Sequence, residues 1–252
     1  MVRRWKLHVV RHPVLGAVEL TLAWHAVLLL VAEVILPPLA PRWFPDLGSA
    51  LVNVACAVAV LGLLWRWGWL RSSGVATLGA PRRWWLAVPL LLVECSYAAA
   101  GVSGGPGTLV GGVVLLFWGS VNEEFQSRGL VQRAAAPLGP ARTSVLVGVL
   151  FGVGHFQNYL FFGSPLDNTL WQVLSTSLFG FGCATLRYAT GSVWPGVVVH
   201  WSGNFFSIHS PGAAPDWWQA CVYVFPVGYG VWLLRSHITH IGADDGVHRA
   251  AT

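Results

Sequence analysis

Apolar residues run along this chain in long blocks, broken by short basic or Pro/Gly-containing stretches. The blocks are close to the ~20 residues that a helix needs to cross a hydrocarbon core. They predict eight helical spans, at 14–36, 48–67, 84–101, 108–126, 144–161, 170–188, 193–208 and 217–234. The seventh is short and opens at Trp194-Pro195, where proline suits a first helical turn. The expected fold class is therefore all-α, a polytopic membrane protein with about eight transmembrane helices in one bundle. No Gly/Ser linker, repeat or low-complexity tract divides residues 1–252, so a single transmembrane domain is expected. The polar residues 236–252, with His237, His240, Asp244, Asp245 and His248, read as a flexible tail.

Charge orients the bundle. With the N-terminus inside, the cytoplasmic segments hold Arg3, Arg4, Lys6 and Arg11, then Arg66, Arg71, Arg82 and Arg83, then Arg128, Arg133 and Arg142, then Arg187, then Arg235 and Arg249. Only Arg42 falls outside, so the positive-inside rule predicts that both termini are cytoplasmic. Trp43, Trp84-Trp85, Trp194 and Trp217-Trp218 fall near span ends, where indole rings prefer the headgroup region. The first apolar run is too long for a signal-peptide core and carries Glu19, His25 and Glu33, so it reads as a retained span.

Composition narrows the class further. The chain is 55% hydrophobic and 10% charged, against about 25% charged residues in an ordinary soluble domain. The net charge of +5 is scattered, not clustered with exposed aromatics, which argues against a nucleic-acid partner. Cys56, Cys95, Cys183 and Cys221 lie in or beside apolar spans without C-x-x-C spacing and read as small packing residues. Abundant Ala, Gly, Arg and Trp with a single Lys points to a bacterial plasma membrane.

Three spans carry polar residues at helical spacing. In the fourth, Glu124 and Arg128 are four apart and share a face, with the acid N-terminal to the base. Glu123 projects about 100° away, so Glu124 is expected to pair with Arg128 while Glu123 is left to exchange a proton. In the fifth, Phe151 and His155 share a face, and Gly152 and Gly154 let another helix approach. In the seventh, His200 and Asn204 share a face. If these faces converge, one cavity holds a carboxylate, two imidazoles and an amide, which can activate water and stabilise an oxyanion. Asn158 is expected behind His155, His209 at the surface, and Glu19, His25, Glu33 and Glu94 either along the same cavity or paired together.

At these residues the chain resembles the CPBP family of intramembrane proteases, also called the CAAX prenyl protease 2 or Abi family. The pattern Glu-Glu-x-x-x-Arg, Phe-x-x-x-His, His-x-x-x-Asn stands here as Glu123-Glu124 to Arg128, Phe151 to His155 and His200 to Asn204, in that order. The motif core covers about 108–208. The resemblance implies an eight-helix fold and peptide-bond hydrolysis at the cytoplasmic face of the membrane. It implies that Glu123 activates water with help from His155, that His200 and Asn204 hold the oxyanion, and that Glu124 and Arg128 support them. The partners implied are membrane lipid and an apolar or lipid-linked peptide. The chain lacks a His-Glu-x-x-His zinc helix, yet two histidines and a carboxylate are a set that Zn can use, so Glu123, His155 and His200 also form a candidate metal site. The competing expectation is a non-proteolytic relative, an immunity, scaffold or lipid-binding factor using the same cavity. A transporter fits less well, because no inverted repeat or second Pro/Gly-broken span matches the first.

Overall fold

A computed structural model describes residues 2–36, 47–212 and 214–238. Arg42 and Trp43, and in the tail His240, Asp244, Asp245, His248 and Arg249, lie outside the described residues. The described residues form helices and contain no strand. Helices Pro13–Ile35, Leu47–Trp67 and Pro140–Phe161 are long and apolar enough to cross a membrane, which makes this an all-α membrane protein.

Each predicted block is helical, with boundaries that local chemistry explains. α1 (Val2–Arg11) precedes α2 (Pro13–Leu30), whose first turn opens on proline and whose end continues as a π turn, Val31–Ile35. α3 is Leu47–Trp67. α4 (Val88–Cys95) follows a 3-10 turn, Pro81–Ala87, and runs into another, Ser96–Ala100. Pro81 and Pro89 each lack the N–H that an unbroken α-helix would use, which suits the mixed geometry of this third block. α5 (Pro106–Glu124) passes through a π segment, Phe125–Val131, into α6 (Gln132–Ala135). α7 (Pro140–Gly154) and α8 (Gln157–Phe161) make the fifth block, followed by α9 (Leu166–Thr190), α10 (Trp194–His209) and α11 (Asp216–Leu233).

Three boundaries differ from the sequence reading. The basic N-terminal flank is itself helical, and Gly16 of α2 packs so closely on Val9 that a Cβ there would sit 2.8 Å from the Val9 Cα. The fourth block does not stop at residue 126, because polar Gln126, Ser127 and Arg128 are buried and carry the rod on to Ala135. Residues 236–238, expected in the tail, extend the last helix as the π turn Leu234–Ile238.

The α7–α9 pair sets the position of one wall of the site. Gly148 and Gly180 face each other, and a Cβ at Gly148 would lie 2.8 Å from both the Phe181 nitrogen and the Ser177 carbonyl oxygen. Small residues of this kind let membrane helices touch through their backbones. Gly148→Ala is therefore expected to force the two helices apart at a cost of roughly 1–3 kcal/mol. A lower unfolding midpoint in detergent checks this, and an unchanged midpoint would contradict so close a crossing. A second anchor is a chain of side-chain hydrogen bonds across three helices. Trp24 Nε1 donates to Asn122 Oδ1 at 3.0 Å, and Asn122 Nδ2 donates to Asn53 Oδ1 at 2.9 Å. It ties α2, α5 and α3 together one residue before Glu123.

Candidate active site

The two adjacent glutamates are separated by the turn of the helix that carries them. Glu124 is fully buried, and its Oε1 accepts a hydrogen bond from Arg128 Nη1 at 2.9 Å, with neither side chain exposed. Arg128 also donates to Ser127 Oγ at 2.7 Å and stacks its guanidinium 4.1 Å from the centre of the Phe151 ring. Glu123, on the neighbouring face, keeps 29% of its side chain exposed. A π segment begins at the very next residue, Phe125. Such segments widen a helix by one residue per turn and recur at functional sites.

His200 of α10 bridges to this pair. The Glu124 carboxylate can only accept, so the 3.1 Å contact from His200 Nδ1 to Glu124 Oε1 sets the proton on Nδ1 and turns Nε2 towards Glu123. His200 Nε2 lies 3.7 Å from Glu123 Oε2, beyond direct hydrogen-bond reach. The approach of α10 depends on Gly196, one turn earlier, where a Cβ would stand 3.0 Å from Glu124 Oε2. Phe151 and Phe179 pack their rings on the imidazole, with centroids 5.8 and 5.2 Å away.

His155 closes the third side. It sits where α7 ends, and its Nδ1 donates to the Phe151 carbonyl oxygen at 2.9 Å. A carbonyl accepts only, so this bond fixes the tautomer and leaves Nε2 with its lone pair. Phe151 thus touches the arginine and both imidazoles, since its ring centroid is also 5.1 Å from that of His155.

Glu123, His155, His200 and Asn204 line one cavity of about 440 Å³. Asn158, expected behind His155, instead lines the cavity itself, donating to Gln172 Oε1 at 2.8 Å. Phe151 lines it as well, and Glu124 and Arg128 stand behind the wall, so the structure brings together all seven side chains singled out by spacing. It does not assemble Glu123, His155 and His200 as a metal site. Among the described residues no three His, Cys, Asp or Glu side chains are grouped so as to hold an ion, and His200 Nδ1 is committed to Glu124.

The other intramembrane polar residues divide by partner. Glu19 binds α1, accepting from Trp5 Nε1 at 3.3 Å and meeting His8 Nε2 at 3.0 Å. His25 donates Nδ1 to the Thr21 carbonyl oxygen at 2.8 Å and lines a small second cavity shared by Glu123 and His155. Gly154 makes the room for it, since a Cβ there would lie 2.7 Å from His25 Nε2. The two glycines of the fifth span therefore serve different neighbours, Gly152 meeting Ser177 of α9 and Gly154 meeting His25 of α2. Glu94 of α4 lines the main cavity. His209, expected at the surface, is buried at the end of α10, seated over Gly112 of α5 and packed on Phe205 with centroids 4.9 Å apart.

The profile of a family described as "Rce1-like: Type II CAAX prenyl endopeptidase Rce1-like" matches residues 105–206, from the start of α5 into α10, a stretch that holds both glutamates, both histidines and Asn204. No curated protein and no solved structure matches the chain.

Proposed function

We propose, from the premise that the chain belongs through residues 105–206 to the Rce1-like family of type II CAAX prenyl endopeptidases, that it is an intramembrane endopeptidase. Its substrate is an apolar or lipid-linked peptide, cut near the cytoplasmic face of a bacterial plasma membrane. The eight helical blocks are read as eight spans with both termini cytoplasmic, on the strength of the arginine pattern.

The observation that carries the reading is the single polar cavity lined by Glu123, His155, His200 and Asn204, with the neutralised Glu124–Arg128 pair buried behind it. In the proposed reaction Glu123 takes a proton from water while the free Nε2 of His155 orients that water. The oxygen attacks the peptide carbonyl carbon, and the C=O electron pair moves onto the oxygen. The Asn204 amide holds that oxyanion, joined by His200 when its Nε2 carries a proton as well. Collapse breaks the C–N bond, and Glu123 returns its proton to the leaving nitrogen. Glu124 keeps His200 aimed by holding Nδ1.

Comparing membrane peptidomes of cells carrying the wild type and Glu123→Ala tests this reading. Fragments present only with the wild type are expected. Identical peptidomes with full biological activity in the variant would favour the non-proteolytic reading, a scaffold, immunity or lipid-binding factor.

A further inference from the structure

Glu94 has no role in the reaction above, yet it is a buried carboxylate that faces the site. It retains 9% exposure, faces the main cavity from α4, and forms no hydrogen bond or ion pair among the described residues. Its one charge partner across the cavity is the His200 imidazole, too far for a salt bridge, and a carboxylate inside a membrane protein so weakly matched marks a site where something charged or polar is handled. Room for it has been made, because Gly203 of α10 lies directly against the carboxylate, where any Cβ would collide with Oε2.

The surroundings say which ligand chemistry fits. Tyr97 and Tyr223 line the cavity with Glu94, and the Tyr223 hydroxyl donates to Gln219 Oε1 at 3.4 Å. No Lys or Arg lines the cavity, while Glu94 and Glu123 both do. Beside Glu94 an anionic group would meet like charge, and the nearest imidazole of the cavity, His200, already faces Glu123 and Glu124. A carboxylate beside two aromatic rings is the setting that stabilises a desolvated ammonium or guanidinium, through a charge-assisted hydrogen bond and the ring faces.

We propose that Glu94 with Tyr97 and Tyr223 forms a cation-binding recess, occupied by a Lys or Arg side chain of the peptide to be cut. The occupant rests on the proteolytic reading; the chemistry of the recess does not. Glu94 then determines specificity, selecting peptides with a basic residue close to the scissile bond.

The test uses N-acetylated, C-amidated Ala/Leu octapeptides that carry one Lys, or one norleucine, at each position in turn. Their binding to the full detergent-solubilised chain is measured by calorimetry, and the same mixtures are analysed for cleavage by mass spectrometry. For at least one position, Lys is expected to bind about 10- to 100-fold more tightly than norleucine, the range of one charge-assisted contact. Glu94→Gln is expected to bring that ratio close to one, and Glu94→Asp to retain part of it. A wild-type ratio near one at every position overturns the proposal whether or not Glu94→Gln folds, as does a ratio that Glu94→Gln leaves intact. Lys preference without cleavage would uphold the recess and count against proteolysis. Cleavage without Lys preference would do the reverse.

Discussion

Glu123→Gln is expected to slow peptide hydrolysis by about 10²- to 10⁴-fold, the usual contribution of a positioned general base, while leaving the unfolding midpoint unchanged. The side chain is part-exposed in the cavity and stands 3.7 Å from its nearest imidazole nitrogen, so the fold draws little from its charge. Gln keeps the shape and can still hydrogen-bond a water, but it cannot take that water's proton. Single-turnover measurements in proteoliposomes, paired with thermal unfolding in detergent, separate the two effects. Undiminished turnover by Glu123→Gln would sink the assignment of this residue as base. A collapse of stability would mean that Glu123 holds the bundle together, which its exposure argues against.

Arg128→Ala is expected to produce the opposite profile, a loss of about 3–5 kcal/mol of stability, because it leaves an uncompensated carboxylate in the interior. Glu124 and Arg128 are both completely buried, and the guanidinium also covers Phe151, the ring that touches both imidazoles of the cavity. Activity should fall with stability, since Glu124 aims His200 through Nδ1. The double variant Glu124→Gln with Arg128→Met separates the two roles. Removing both charges together should recover much of the stability, as paired substitutions in a buried ion pair do. Turnover should stay low, because a Gln at 124 no longer presents a charged acceptor to His200. Denaturant titrations of the three proteins, set against their turnover, check this. A double variant as unstable as Arg128→Ala would contradict an energetic role confined to the pair.

These two substitutions fall at adjacent motif positions and differ in outcome because of a feature that helical spacing alone conveys. Residues four apart lie on one face and residues one apart do not, so the split between a paired Glu124 and a free Glu123 was legible before any packing was known. The same holds for Phe151 with His155 and for His200 with Asn204. The roles of Glu94 and His25 were not legible in this way. Both stood out as intramembrane ionisable groups, but their spacing from other polar residues on their own helices is uninformative, because their neighbours come from elsewhere. Glu94 meets Gly203 of α10, and His25 meets Gly154 of α7, across distances in the chain that no periodicity spans. His209 was misplaced for a related reason. A polar residue at a span end reads as exposed until a glycine on another helix, here Gly112, provides a hollow for it.

The stretch around Glu123 shows the division most clearly. Sequence alone determined the helical blocks, their apolar lengths, and which polar side chains share a face, because these follow from local backbone geometry and from the cost of exposing peptide groups to lipid. It also determined that an acid and a base four residues apart would neutralise each other. Tertiary structure decided that the helix runs on through a π segment to Ala135, that His200 donates an Nδ1–H hydrogen bond to Glu124, and that three separate faces close on one cavity of about 440 Å³. Those outcomes depend on how near two backbones can come, and here that is set by pairs such as Gly148 with Gly180 and Gly196 with Glu124, whose partners lie on different helices.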